Sequence, residues 1–599
     1  MNHTTAKAHG IHYTPPELAQ FLACLLAAQL TDQGCDLRVL DPACGDGALL
    51  AAFVRAVPAS SRERLTLVGY ETDRSAIDAA DSVLRRLALK QFTLVEGDFL
   101  QAADAGRELC GQEPSGAAAV GTGLPAGFDA VIANPPYVRT QVLGAHRAGL
   151  LAAQFGLTGR VDLYHAFARA MAGVLKPGGV LGLLASNRFL TIKSGAALRA
   201  MLRTQFVLQA IYDLGDTKLF AAAVLPVIVV ASKKTPSAQV RCRFDRVYQD
   251  RSTPPTSSRA DCADAAAANA ARPIQVVRSV LAALADGQTS GLVRAPTGLF
   301  RVERGFLSNR PADAIWTLSN ADSEDWLKVV ERHAGPTFDD VGRVRVGIKT
   351  TADQVFIRDD WNVLPLDRRP ERELLRPLLR HFGAARWLAG PQRQAVLYPH
   401  VVAEGRRRAI DLAVFPRASR YLEGHRQRLS RRQYVIESGR QWYEIWVPHN
   451  PKEWSLPKIV FPDIAAEPRF FLDRSGAVVN GDCYWITLRS GRHADWLLLM
   501  LAVANSSFIV RYYDTAFHNQ LYAGRRRFMT QYVKHFPLPD IESRASQDAI
   551  ARVRRLVAAP IAPLAASAVP SGKAAPNGHR SGLAELEREV DDLVWRAFG

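Results

Sequence analysis

The first 235 residues alternate between two hydrophobic periods. After the paired prolines of "HYTPPE", the segment "ELAQFLACLLAAQL" (17–30) repeats its apolar positions at helical spacing, and Pro-Pro suits a helix's first turn. A short apolar strand, "LRVLDPACGDG", then runs into a glycine-containing turn and the helix "ALLAAFVRAV". "LTLVGYETD", "FTLVEGDFL" and "FDAVIANPPY" read as further strands, with the helix "RSAIDAADSVLRRLAL" after the first of them. Beyond come a helix ending in "AFARAMAGVLKPGG", the strand "VLGLLAS", a helix near "SGAALRAMLRTQF", and the strands "VLQAIYDLG" and "AVLPVIVVASKK". Such alternation, with strands rich in Val, Ile and Leu, predicts an α/β domain on a parallel sheet covered on both faces.

Breaks in the pattern mark the domain organisation. Residues 101–127 are rich in Gly and Ala and read as a surface insertion. Residues 235–272, containing "STPPTSSRADCADAAAANAARP", read as a linker. The expected division is a catalytic α/β domain at 1–240, a linker at 241–275, a mixed α/β domain at 276–558, a second linker at 559–582 and a C-terminal helix at 583–599. That helix carries an apolar stripe at Leu586, Val590, Leu593 and Val594, which predicts docking. The length, 599 residues, calls for two or three cores, and no repeat of fixed period is present.

Charge changes the picture. The net charge is +17 and is uneven: 22 Lys and Arg face 19 Asp and Glu up to residue 240, and 53 face 39 beyond it. A polyanionic partner, nucleic acid first, is therefore the business of the second half. Seven cysteines lie far apart without a C-x-x-C pair, so zinc and disulfide frameworks are not indicated, and a reduced cytoplasmic setting is expected. Runs such as "WLLLMLAVA" fall short of the roughly 20 residues of a membrane helix, and the start lacks a signal-peptide core.

Three successive strand tips carry an acid: Asp41 in "DPACGDG", Glu71 in "GYETD" and Asp98 in "EGDFL". Gly45 and Gly47 let the first turn tighten and approach a ligand, which an open α/β sheet binds at the carboxyl ends of its strands. Glu71 can accept both hydroxyls of a ribose, and Asp98 can accept from an adenine amino group. "GDGALL" lacks the third glycine of the dinucleotide pattern, and Asp41 would repel a pyrophosphate. An acid there suits the ammonium and sulfonium of S-adenosylmethionine better than NAD.

The fourth tip is "NPPY", Asn134 to Tyr137. Alone it would pass for a turn after an edge strand. Beside a methyl donor it makes chemical sense for an exocyclic amine acceptor, whose lone pair is delocalised into a base. The Asn134 side-chain oxygen and the Pro135 carbonyl can grip the two amine hydrogens and localise that lone pair. Proline fixes φ and donates no hydrogen bond, so the carbonyl is held rigidly. Tyr137 can stack on the base, and positioning with electrostatics replaces a strong general base.

In order and content these motifs resemble the amino-group DNA methyltransferases, most closely the γ-class, TaqI-like adenine-N6 enzymes of restriction–modification systems. The similar segments are "HYTPPELAQFL", "DPACGDG", "GYETD", "EGDFL", "NPPY", "VDLYHAFARAMAGVLKPGG", "LLASNRFL" and "IYDLGDTKLFAAAVLPVIVV", covering residues 10–235. The resemblance implies a Rossmann-like S-adenosylmethionine-dependent domain followed by a target-recognition domain. It implies a cofactor set of Thr14, Asp41, Ala43, Gly45, Gly47, Glu71, Asp98 and Asn134, with Thr14 at the methionine moiety. It implies that Asn134, Pro135, Tyr137 and Phe220 hold a flipped-out target base. Asn rather than Ser before the prolines points to adenine. The implied setting is a bacterial cytoplasm, and the implied partners are double-stranded DNA and a separate cognate restriction endonuclease.

The second half carries basic clusters interleaved with aromatics, such as "EGRRRAI", "FPRASRYLEGHRQRLSRRQY" and "NQLYAGRRRFMTQY". Arg525, Arg526 and Arg527 are the expected DNA contacts there, and Arg139 is expected at a phosphate beside the flipped base. "FPDIAAEPRFF" is the nearest approach to a nuclease signature and lacks its lysine. One chain holds catalytic and reading halves, so a monomer suffices. A cytosine-N4, RNA or protein-glutamine methyltransferase, or a non-catalytic DNA-binding defence protein, remains the alternative at this level.

Overall fold

The computed structural model describes residues 13–30, 35–87, 89, 91–109, 127–138, 145–156, 162–219, 225–233, 241–250, 274–308, 315–390, 392–517, 521, 524–558 and 578–599. The chain divides into two compact units, Met1–Ala321 with Leu521–Gly524, and Asp322–Gln520 with Arg525–Gly599.

Among the described residues of the first unit, twelve strands form one sheet. They are β1 (Leu37–Asp41), β2 (Leu65–Glu71), β3 (Gln91–Glu96), β4 (Phe128–Ala133), β5 (Leu175–Ser186), β6 (Val207–Asp213), β7 (Pro226–Ser232), β8 (Arg243–Gln249), β9 (Gln275–Val276), β10 (Gly291–Ala295), β11 (Gly298–Leu307) and β12 (Leu318–Ser319). Their order is β3-β2-β1-β4-β5-β7-β6-β8-β11-β10-β9, with β12 on β11. The longer helices are α1 (Pro16–Ala27), α2 (Ala48–Ala56), α3 (Arg74–Arg85), α4 (Phe99–Leu109), α5 (Ala145–Phe155), α6 (Leu163–Val174), α7 (Ala196–Gln205) and α8 (Val280–Ala285).

Alternation along the strands explains the two cores. On β4, Val131 and Ala133 face a core with α4, α5, α6 and α7, while Ala130 and Ile132 face one with α1, α2 and α8. Every residue of β7 is buried, because helices cover both faces there. The helix α1 begins at Pro16 and buries Leu18, Leu22 and Leu26, spaced four apart, against the second core.

The topology sets the site. From β1 the chain moves outward through β2 and β3, then returns to place β4 on the other side of β1, all in parallel register. The strand order therefore reverses between β1 and β4, and the carboxyl ends of those two strands flank a switch-point crevice.

Two expectations differ from this architecture. The sheet is parallel from β3 to β5, but it is not parallel throughout: β7 enters antiparallel between β5 and β6. The expected boundary at 240 and the linker at 241–275 also give way, since β8 pairs with β6 and β11 and the first unit continues to Ala321. The reason is chemical. In "RCRFDRVYQ" the charges of Arg243, Asp245 and Arg246 interrupt the apolar pattern, yet Asp245 is fully buried between Arg243 (2.6 Å) and Arg304 (2.6 Å). Most of the low-complexity stretch that suggested a linker lies outside the described residues, as do 110–126 of the expected insertion.

The second unit holds a five-stranded sheet, ordered 342–346, 483–488, 458–462, 471–473 and 387–388, and a four-stranded sheet of 357–358, 394–397, 375–379 and 478–479. The C-terminal helix Gly578–Ala597 packs within this unit, where Val590, Val594 and Phe598 are buried and Phe598 stacks on Phe508 at 4.1 Å. Lys458 and Asp473 are cross-strand partners, nearly inaccessible and 2.6 Å apart. Burial drives the Lys458 ammonium downward, and the Asp473 charge restrains it. Lys458→Ala strands that carboxylate in the interior and is expected to cost about 3–5 kcal/mol. A urea denaturation midpoint equal to that of the parent protein would contradict this.

Candidate active site

Asp41 ends β1 and is 1% exposed. Its Oδ1 accepts from the Ala43 amide at 3.1 Å, while among the described residues no group hydrogen-bonds to its buried Oδ2. Burial pushes the carboxyl up to about 8; the Ala43 amide opposes this, and the charges of Glu71 and Asp46 add to it. The turn that follows is closed by Gly47 N–H to Cys44 O (2.8 Å) and tied to β2 by Cys44 N–H to Tyr70 O (2.8 Å). Gly45 and Gly47 take φ of +52° and +79°, the left-handed region that glycine enters without a Cβ clash. At Gly47 a Cβ would also lie 3.1 Å from Ala80 of α3.

Glu71, at the end of β2, fastens this turn. Its Oε2 accepts from the Gly45 amide (3.1 Å), and its Oε1 from the amides of Thr72 (2.7 Å) and Asp73 (3.0 Å). Asp98 follows β3 and caps α4 through Leu100 N–H (3.0 Å), with Arg147 3.8 Å from its other oxygen.

Asn134 directly follows β4. Its Nδ2 donates to Thr14 Oγ1 at 3.0 Å, and its Oδ1 accepts from the Tyr137 hydroxyl at 2.7 Å. Thr14 is buried, so the residue before α1 meets the tip of β4 across 120 positions of sequence. Val138 O accepts from Leu163 N–H (3.0 Å), which fixes the far end of the Pro-Pro corner to α6. The Tyr137 ring meets Tyr164 of α6 edge-on at 6.2 Å, and burial pushes both phenols upward.

The crevice thus gathers Thr14, Asp41, Ala43, Gly45, Gly47, Glu71, Asp98, Asn134, Pro135 and Tyr137 around the tips of β1 to β4. Phe220 and Arg139 lie outside the described residues. In the second unit Arg525 is exposed, but Arg526 is 11% exposed and paired with Asp514 (2.8 and 2.6 Å) and Ala466 O (2.8 Å). Arg527 is held by Asp463 at 3.0 Å. Those two guanidiniums are engaged with carboxylates of the same unit.

Sequence reasoning overlooked three features. Tyr13 lies beside the Gly45 turn, where a Cβ on Gly45 would stand 3.4 Å from its ring. Partial burial and the charges of Asp46, Asp73 and Glu71 raise its phenol. The Tyr137 hydroxyl, expected only as part of a stacking ring, orients the Asn134 amide. Third, Asp213 at the end of β6 accepts from Asn187 Nδ2 (3.0 Å), Gly215 N–H (3.2 Å) and the Tyr248 hydroxyl (2.8 Å). This network secures a turn in which a Cβ on Gly215 would fall 2.3 Å from Val247 O. Asn187 and Asp213 sit in recognisable motifs, but Tyr248 fell in the stretch read as linker.

Residues 81–220 match the Eco57I restriction-modification methylase family, and residues 417–538 match the TaqI-like C-terminal specificity domain. The chain is 36% identical to the type II methyltransferase M.BanIII of Aneurinibacillus aneurinilyticus, over 99% of this chain and 97% of that one. It is 26% identical to M.XhoI of Xanthomonas vasicola, over 88% of this chain and 91% of that one. In fold it is similar to the protein in the cryo-EM structure of a DrdV–DNA complex, with a TM-score of 0.51, 11% identity, and coverage of 93% of this chain and 58% of that one. The chain belongs to the type II restriction–modification DNA methyltransferases.

Proposed function

We propose that the protein is a site-specific DNA adenine-N6 methyltransferase that uses S-adenosylmethionine and protects the sites of a separate cognate endonuclease. The observation that carries this reading is the pairing, at one switch point, of a buried carboxylate oxygen with no hydrogen-bond partner among the described residues and a carboxamide held in place from both ends.

The buried Oδ2 of Asp41 fits a cationic amino group, and burial without such a group is what holds its proton on to pH 8. Glu71 and Asp98, at the next two tips, suit ribose hydroxyls and an adenine amino group. When bound, S-adenosylmethionine supplies an electrophilic methyl on a sulfonium. The Thr14 and Tyr137 bonds orient the Asn134 amide so that its oxygen is the acceptor. That oxygen, which accepts from Tyr137, would also accept one hydrogen of the amine of a flipped base. The Pro135 carbonyl takes the second amine hydrogen. Held by these two acceptors, the amine nitrogen would turn its localised lone pair toward the methyl carbon that bound S-adenosylmethionine would supply; the bond of that carbon to sulfur would break to leave a neutral thioether, and the extra proton on nitrogen would pass to water. No residue need act as a strong base, since transfer leaves the nitrogen cationic and acidic.

Purified protein, incubated with S-adenosylmethionine and plasmid DNA, is expected to leave N6-methyladenine at one short sequence. Nucleoside mass spectrometry and long-read sequencing measure this. N4-methylcytosine as the product would overturn the adenine assignment, and label in RNA or protein alone would overturn the substrate.

A further inference from the structure

Residues His400–Ala403 and Arg406–Ala409 form a two-stranded antiparallel ribbon that, among the described residues, pairs with no third strand. Glu404 and Gly405 make its turn with φ of +51° and +74°, the signature of the tight hairpin turn whose twist matches the strands. A lone hairpin is marginal in water, so its root must be secured elsewhere. It is: Ile445 N–H donates to the buried His400 Nε2 (3.2 Å), Tyr443 OH to Ile410 O (2.7 Å), and Tyr398 OH to Pro448 O. The base is thereby fixed while the tip, residues 404–408, is exposed.

Three consecutive arginines occupy the second strand. By strand alternation Arg406 and Arg408 share one face and Arg407 takes the other. Arg408 pairs with Glu404; among the described residues no carboxylate pairs with Arg406 or Arg407. This contrasts with Arg526 and Arg527, each matched to an acid. A groove of B-DNA admits a two-stranded ribbon and presents a phosphate strand on each side, and a ribbon with cations on both faces is matched to both walls. The segment lies outside both family matches, 81–220 and 417–538. We infer that the hairpin His400–Ala409 is a DNA-binding ribbon whose Arg406 and Arg407, on opposite faces, neutralise phosphates on either side of a groove, an inference that rests on double-stranded DNA being the substrate.

The test compares the full-length protein with the triple variants Arg406→Gln/Arg407→Gln/Arg408→Gln and Arg406→Lys/Arg407→Lys/Arg408→Lys. Affinity for a duplex carrying the methylated site is measured by fluorescence anisotropy from 0.05 to 0.2 M salt. The glutamine variant is expected to bind at least tenfold more weakly at 0.1 M salt, with a salt slope shallower by about 2, near 0.9 per phosphate contact. The lysine variant is expected to keep the parent slope, and S-adenosylmethionine affinity is expected to be equal in all three. An unchanged slope in the glutamine variant, with parent protein that methylates DNA, overturns the ribbon's role and leaves the enzyme reading intact. So does equal weakening in both variants, or lower solubility with unchanged DNA binding, which would make the arginines guards of an open sheet edge. Parent protein that neither binds nor methylates duplex DNA overturns both.

Discussion

Asn134→Ala is expected to lower kcat for methyl transfer by about a thousandfold, the scale of removing a group that acts on charge developing in the transition state. The substitution deletes the oxygen that accepts from Tyr137 and the nitrogen that donates to Thr14, so both ends of the orienting arrangement are lost together. The backbone corner survives, because the two prolines and the Val138–Leu163 bond set it independently. Tyr137→Phe keeps the ring and removes only the hydroxyl that orients the amide, for which a loss nearer tenfold is expected. Single-turnover rates with labelled S-adenosylmethionine and saturating DNA separate these from binding defects. An alanine variant retaining a tenth of the parent rate would sink the paired-acceptor mechanism.

Asp41→Asn is expected to weaken S-adenosylmethionine binding at least a hundredfold and to abolish its pH dependence. The folded protein holds the Asp41 proton up to about 8, against an ordinary value of 3.8. A carboxyl raised in this way contributes stability that is full below pH 4, erodes as pH rises, and is gone above pH 8. A cationic amino group beside Oδ2 favours the ionised form, so binding below pH 8 must release a proton. Affinity should therefore climb about tenfold per unit from pH 6 to 8 and level off above. Asparagine cannot ionise: the affinity slope vanishes, and the ligand-free protein loses its decline in stability between pH 4 and 8. Calorimetry in buffers of different ionisation enthalpy reads the proton release, and thermal unfolding reads the stability. Equal slopes in parent and variant would place the cofactor's amino group elsewhere.

The site was legible residue by residue where its logic is local. A carboxylate ending an apolar strand, glycines after it, and Asn-Pro-Pro after another strand are short-range patterns, and the structure brings these tips side by side. The roles of Tyr13 and Tyr248 were not legible, because each depends on a neighbour far away in sequence. Arg525 to Arg527 show the converse: three identical side chains in a row meet different surroundings, and Asp514 and Asp463 claim two of them.

By itself the sequence determined the α/β class, the four chemically marked strand tips, their order and the methyltransferase family, because strand periodicity, glycine φ freedom and proline rigidity act within a few residues. Only the tertiary structure decided that β7 runs antiparallel between β5 and β6, and that β8 to β12 extend the same sheet to residue 319. Strand neighbours are chosen by long-range pairing, to which local hydrophobic patterns are blind. The charged strand β8 is stable in the interior because Asp245 meets Arg304, a partner 59 residues away, and a charge reads as surface until its buried counter-charge is in place.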